Sequence, residues 1–222
     1  MFTRIQVIGS GRAGGAVAGR LRERGHDLDS ADPELVLLCV PDGAIAEVAA
    51  GTPVGPWVAH VSGATPLAAL APHERRFGVH PLQTFTTSRG PEQLDGAWAA
   101  VTAKSEEARA AGVWLAETLG LQPFTLDEGA RTLYHAGAVF ASNYVVTLQR
   151  AAAILFETAG VPPEAFVPLM LRTIENDFEL TGPISRGDWA TVEAHMRAIH
   201  AERPELEHLY ETLAGATLAI AT

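Results

Sequence analysis

The sequence predicts two parts in series: an α/β domain on a shortened, mostly parallel sheet over residues 1–127, and an all-helical domain over 128–222. Three observations carry that reading. The β-type run Arg4-Ile5-Gln6-Val7-Ile8 closes on Gly9-Ser10-Gly11-Arg12-Ala13-Gly14 and passes directly into small residues at helical spacing. Short apolar runs then alternate with helical stretches, the order expected of an open parallel sheet with one antiparallel edge allowed. After about Asp127 the strand signals stop, and a long apolar helical run takes over.

Composition sets the outer limits. The 222 residues are 47% hydrophobic and 19% charged, so they can fill one large core or two modest ones. A formal net charge of −10 argues against a general nucleic-acid-binding role. The lone Cys39 excludes an internal disulfide and a cysteine-based zinc site, and it suits a reducing compartment. Met1 leads into a core strand without a basic and apolar leader, and no apolar run reads as a membrane span, so the expectation is a cytoplasmic protein off the membrane.

The glycine turn has a physical logic. Gly9 permits the tight turn, Gly11 lets backbone approach a pyrophosphate, and Gly14 lets the helix lie close to its strand. Amides at the helix start would then face the phosphates, aided by the helix dipole. In the helix from Gly14 to Arg24, Ala16, Val17 and Leu21 form the inward face, with Arg20, Arg22, Glu23 and Arg24 on the outward one, and Gly25 ends it.

The run Leu35-Val36-Leu37-Leu38-Cys39-Val40 reads as a doubly buried parallel strand, ended by Pro41 and Asp42. Between it and the first helix stand only residues 26–34. A second parallel strand needs a crossover of about a dozen residues, so this segment is expected to be mostly loop. The shortening falls on the ribose and adenine half of a dinucleotide pocket. Further strands are expected at 57–61, 77–79, 97–102 and 122–126, with a surface helix over 105–119 capped by Ser105. The helical part is expected as 131–159, apolar almost all round and therefore buried on several sides, then 163–180, 189–201 and 204–219.

This order of parts resembles the superfamily of 6-phosphogluconate, ketopantoate, prephenate and pyrroline-5-carboxylate oxidoreductases. More closely, it is similar to a bacterial family of uncharacterised function that joins a Rossmann-like domain to a helical domain. The matching segments are Cys39–Ile45, His60–Ala64, His80–Phe85, Tyr134–Tyr144 and Leu180–Asp188. The resemblance implies NAD or NADP as cofactor and a small carboxylate-bearing keto, hydroxy or imino substrate in an interdomain crevice. It also implies a homodimer paired through the helical domain.

Ligands of open α/β sheets sit beyond the carboxyl ends of the strands. Gly9, Ser10, Gly11, Arg12, Ala13, Gly14, Val40, Pro41 and Ser62 are therefore the expected cofactor contacts. His135, Val139 and Asn143 are spaced i, i+4, i+8, which stacks them on one helical face. By similarity to the relatives, whose catalytic polar pair lies on the corresponding helix, His135 is the expected general acid or base and Asn143 the residue that orients the substrate oxygen. Histidine suits that role because its unperturbed pKa of about 6.5 lies close to working pH. The alternative is a helix–helix hydrogen-bonding pair that holds the core together. His80 either polarises a carbonyl, contacts the cofactor, or merely caps a strand end. Gln83 and Ser142 are placed with the substrate. Arg186 either clamps a carboxylate or pairs with Asp188, itself the expected cap of the helix at Trp189. His80, His135, His195 and Asp188 match no metal-binding spacing, so no metal is expected. His26, His60, His73, His200 and His208 read as surface or turn residues. The second function class is a binding or regulatory module that keeps the scaffold and has lost the dinucleotide.

Overall fold

The computed structural model describes residues 1–221. They divide into two compact units, Met1–Ser142 and Asn143 onward. The first carries a six-stranded sheet in the order β1(Ile5–Ile8), β2(Leu35–Leu38), β3(Trp57–His60), β4(Arg76–Leu82), β5(Trp98–Ala103), β6(Gln122–Thr125). Its helices are α1(Arg12–Glu23), α2(Ile45–Gly51), α3(Glu106–Thr118) and α4(Arg131–Ala141). Strands β1 to β4 run parallel. β5 is antiparallel to β4 and parallel to β6, so two strands are reversed rather than one edge. Only β1 to β4 therefore end on the rim that carries the glycine turn.

Alternation along the strands sorts the two faces. Leu35, Leu37, Ala59, Phe77, Val79 and Val101 form one core with Val17 and Leu21 of α1 and Ala111 and Leu115 of α3. Val36, Leu38 and Val58 face the other way, packed with Ile45 and Ala49 of α2 and with Leu67 and Leu70. Ser105 caps α3, its hydroxyl accepting the Ala108 amide at 3.1 Å. Arg20 departs from its expected outward position. It is 5% exposed and donates to Asp95 at 2.6 Å, to Glu23 at 3.0 Å and to the Pro91 carbonyl at 3.0 Å. A long side chain at the edge of the inward face can swing under the loop, which periodicity alone does not reveal.

Segment 26–34 is loop, as expected, yet it keeps a trace of a strand. Asp27 bridges Arg4 in parallel fashion: Ile5 N–H donates to the Asp27 carbonyl at 2.8 Å, and Asp27 N–H to the Thr3 carbonyl at 3.0 Å. The Arg4 carbonyl points to the opposite edge and takes the Glu34 amide at 2.9 Å. The chain thus leaves α1 for the outer edge of β1, touches it once, and crosses beneath the start of β1 to enter β2. Arg4 Nε on the Asp32 carbonyl (2.7 Å) and the Glu34 carboxylate on the Thr3 and Arg4 amides (2.7 and 3.0 Å) hold that crossing. The usual right-handed step from strand to helix to strand survives in reduced form.

The second unit comprises α5(Asn143–Thr158), α6(Val167–Glu175), α7(Trp189–Glu202) and α8(Glu207–Ala221). The single helix expected over 131–159 is broken at Ser142, whose φ and ψ of −129° and −69° are not helical. Nor is it buried: α5 has no buried side chain, and Leu133, Phe140, Val145, Val146 and Leu148 are exposed. Few residues of the unit are positioned to cover it; Phe156 meets Phe166 edge to face at 5.6 Å. The stretch Glu128–Thr158, with mean hydropathy 1.3, is long and apolar enough to cross a membrane by length and composition alone, contrary to the expectation from sequence. It is not one uninterrupted rod, however, and its first turn is anchored in the sheet unit by Arg131, as described below. The helix expected over 163–180 ends at Glu175, because Asp177 and Phe178 take positive φ. Asp188 caps α7 as expected, accepting from the Thr191 amide at 3.2 Å and its hydroxyl at 2.7 Å. Among the described residues Arg186 makes no ion pair with it.

Candidate active site at the strand ends

The glycine turn has the tight turn at Gly9 and the close helix–strand approach at Gly14 that its sequence predicts. Gly9 has φ +112°, and a Cβ there would lie 2.3 Å from the Cys39 carbonyl oxygen. A Cβ on Gly14 would lie 2.0 Å from the Gly9 oxygen. Around Gly11, by contrast, there is nothing within 4 Å of that position. Two glycines let backbone meet backbone, and the third leaves its face open. Two clefts flank the turn. One, of about 420 Å³, is bounded by Gly9, Ser10 and Gly14 with Arg22, Leu28 and Asp29. The other, of about 470 Å³, lies between Ser10, Gly11 and Arg12 and the loop residues Thr87, Arg89 and Gly90. That loop is fixed by Gln93, 4% exposed, whose side chain bonds the Thr86 amide and the Arg89 and Gly90 carbonyls at 2.8 to 3.0 Å.

Two cross-strand rows build the remainder. His60, Gly78 and Thr102 stand side by side on β3, β4 and β5, and His80, Ala100 and Phe124 form the next row on the same face. β3 stops opposite Gly78, whereas β5 accompanies β4 to Leu82. His80 therefore lies inside a strand, not at its end as expected, on a stretch that has lost its β3 neighbour. Pro81 is tolerated there for the same reason.

Helix α4 lies over both rows. Arg131 sits above Gly78, where a Cβ would come 3.2 Å from its Nη1 and 3.1 Å from His60 Cε1. Its guanidinium is 2% exposed and donates to Thr102 Oγ1 at 2.8 Å and to the Ser62 carbonyl. Tyr134, one turn on, meets His80 Nδ1 through its hydroxyl at 2.7 Å and packs edge to face on His80 and Phe124. His135 stands beside His80, ring centroids 6.0 Å apart. Both imidazoles rest on Gly63, where a Cβ would lie 2.6 Å from His135 Cδ2 and 2.9 Å from His80 Nε2.

The electrostatics follow from that enclosure. Burial, with the Arg131 charge and His80 adding to it, holds His60 neutral with its pKa pushed down to about 3. His80 is pushed down to about 4 by burial first, then by His135 and Arg131, against a smaller pull from Asp42. Burial raises the Tyr134 phenol to about 12 and the Cys39 thiol likewise to about 12. His60 Nδ1 accepts the Ser62 amide at 3.2 Å, so its Nε2 carries the proton. That atom and Arg131 Nε are buried donors with no acceptor among the described residues.

The structure thus brings together Ser62, His80 and His135, and it seats Gly9 against the chain at Cys39 and Val40. Several expected contacts are otherwise engaged. The Ser62 hydroxyl is occupied by Thr65 Oγ1 and the Thr65 amide, both at 2.9 Å. Gln83 ties its own loop, donating to the Gln93 carbonyl at 3.0 Å. Ser142 Oγ donates to the Ala138 carbonyl at 2.6 Å. Asn143 begins α5 beyond the break at Ser142, and it and Arg186 belong to the second unit. His60 and His73, expected at the surface, are 0% and 2% exposed. His60 occupies the last position of a fully buried strand, and His73 bonds the Ala49 carbonyl at 2.8 Å. Sequence reasoning missed Arg131 and Tyr134 altogether. A signal for Arg131 was present: a cation in the first turn of a helix opposes the dipole and calls for another reason to be there.

Residues 97–217 match the model of a family described as Domain of unknown function (DUF2520). No curated protein matches the chain. Among solved structures it is similar to a Bacteroides fragilis protein named as an NADP oxidoreductase, at 23% identity over 98% of each chain and a TM-score of 0.84. It is also similar to 1-pyrroline-5-carboxylate reductase of Streptococcus pyogenes, at 17% identity over 98% of this chain and 97% of that one, TM-score 0.63. A reductive aminase of Aspergillus terreus, solved with NADPH and ethyl levulinate, matches at 16% identity over 98% and 93%, TM-score 0.66. At such identities the likeness establishes a shared fold.

Proposed function

This chain belongs to the DUF2520 family, and we propose that it is an NAD(P)-dependent oxidoreductase acting on a small carboxylate-bearing keto, hydroxy or imino compound. The observation that carries this reading is the contrast within the glycine turn. Gly9 and Gly14 are closed by backbone, while Gly11 is open between two clefts large enough for the halves of a dinucleotide. The residues present fit a pyrophosphate: amides of the first turn of α1, with Arg12 and Ser10 beside them. A nicotinamide held there would supply or accept the hydride. The chain's own part is to bind, orient and protonate.

His80 and His135 are the groups placed for that part. His80, held neutral, can hydrogen-bond a carbonyl or imine, and His135 can give or take the proton as general acid or base. Arg131 is too enclosed to touch a ligand. Its buried charge, set against the nearby Glu128 and Asp42, is the feature that would draw an acidic substrate to this rim. The names of the fold's other holders, an NADP oxidoreductase, a reductase and a reductive aminase, support the same class. The uncovered apolar side chains of α5 and α6 support a homodimer paired through the helical unit, and Cys39 a reducing, cytoplasmic setting.

Titration with NADH and NADPH, followed by nucleotide fluorescence, tests the core of the proposal. Micromolar affinity for one of them is expected. Absence of binding below millimolar would leave the second class, a binding module that has lost its cofactor, which the single Arg4–Asp27 bridge in place of a strand favours. A stable monomer in sedimentation velocity would overturn the dimer.

A further inference from the structure

We propose that Tyr134 is a positioning residue: its hydroxyl donates to His80 Nδ1 and so fixes His80 as the Nε2–H tautomer, which presents a hydrogen-bond donor over Gly63. Where the proposed oxidoreductase activity holds, on which this reading of His80's use rests, that donor is aimed at the oxygen or nitrogen of the bond being reduced.

The argument is one of donors and acceptors. A phenol is a stronger donor than an imidazole N–H, and an imidazole nitrogen is a stronger acceptor than a phenol oxygen. At 2.7 Å the hydrogen therefore belongs to Tyr134 and the lone pair to Nδ1. In the reverse assignment the half-buried phenol would have to turn its hydrogen to solvent, with no second protein acceptor among the described residues. With Nδ1 an acceptor, a neutral ring must carry its hydrogen on Nε2. That atom makes no hydrogen bond among the described residues, and it lies on the Gly63 side, next to His135. Neutrality is secured by what surrounds the ring: Arg131, His135 and Tyr134 on α4, His60 on β3, with Asp42 the one carboxylate pulling the other way. Tyr134 also packs edge to face on Phe124, at 5.9 Å between ring centroids, which favours the ring position that makes this bond.

This arrangement makes His80 a donor that does not change its proton count, and it leaves proton transfer to His135. Fixing a tautomer through the far nitrogen is how a second residue sets the function of the first. Gly63 completes the device, since any side chain there would push both imidazoles away.

The experiment is nitrogen NMR of the ligand-free full chain with labelled histidine, at pH 7. His80 is expected to show a one-bond proton coupling at Nε2 and none at Nδ1, with the Nδ1 resonance displaced from that of a free imidazole by the bond it accepts. In Tyr134→Phe that displacement is expected to vanish and a fraction of Nδ1–H to emerge, while the His73 signals stay in place as a check on folding. A proton on Nδ1 in the unmodified chain overturns the proposal even if Tyr134→Phe does not fold. An Nδ1 resonance unmoved by Tyr134→Phe overturns it as well. The measurement needs no cofactor, so failure of the chain to bind NAD(P)H is a separate result, read from the titration above.

Discussion

The glycine turn and the imidazole cluster stand on the same rim of the sheet and are built in opposite ways. The turn is backbone: its groups come from one stretch of six residues, small but for Arg12, and its face at Gly11 is open. The cluster is side chain: His60, His80, Arg131, Tyr134 and His135 come from two strands and a helix far apart in sequence, joined by the His80–Tyr134 bond and held to the sheet through Arg131 on Thr102 and the Ser62 carbonyl. On the proposed function, the turn would bind the dinucleotide through backbone and the cluster would carry the chemistry.

Substitution at Gly14 should break that comparison most severely. A Cβ there meets the Gly9 carbonyl at 2.0 Å, and the neighbour is backbone, which cannot step aside. Gly14→Ala is expected to cost at least about 3 kcal/mol, read as a lowered urea midpoint. A loss below about 1 kcal/mol would mean that α1 can slide away from β1, and that the turn is not the rigid element described above.

The contribution of the cluster to the pH dependence of stability comes next. His60 and His80 are neutral in the fold, while the same rings in the unfolded chain take up protons below about pH 6.5. Between that pH and about 4, where His80 itself protonates, the unfolded state binds more protons than the native one. Stability is therefore complete above pH 6.5 and falls as the pH drops toward 4, with the His60 share lost down to about 3. The slope near pH 5 is expected to correspond to about two protons in the wild type and about one in His80→Gln. Equal slopes would place His80 in contact with solvent. The lowered carboxyls of Glu34, Asp95 and Asp188 add a loss of the same sign as the pH falls through the ordinary carboxylate range, equally in both proteins, so the difference between wild type and His80→Gln isolates the His80 proton.

How much of this was legible in the sequence follows the same division. The turn could be read because everything that makes it is local: apolar run, glycine spacing, small residues at helical period. Strands β1 to β3, α3 with its cap and the Asp188 cap were legible for that reason too. The cluster was only half legible. His80 could be named from its place at the end of a short β-type run and His135 from its helical face and the family resemblance, but what encloses His80 depends on the register of β4 against β3 and β5, and no periodicity encodes that. The break at Ser142 and the exposure of α5 were missed because an apolar pattern reports that a surface is to be covered without saying that the same chain covers it.

The smallest expected effect on stability is also the one that separates the two regions most cleanly. Gly11 has open space where a Cβ would go and an ordinary φ of −68° at the cap of α1. Gly11→Ala should therefore cost no more than about 1 kcal/mol, the weak preference of a helix cap for glycine over alanine. The same methyl would stand where a pyrophosphate must come against the backbone, so affinity for NAD(P)H should fall by about tenfold or more, near 1.4 kcal/mol. The His80 nitrogen resonances, set by the cluster, should not move. Paired with Gly14→Ala, which removes fold and binding together, this variant removes binding alone. Affinity unchanged in Gly11→Ala would show that the dinucleotide, if bound, does not rest on the turn, and the division of labour between the two regions would have to be drawn elsewhere on the rim.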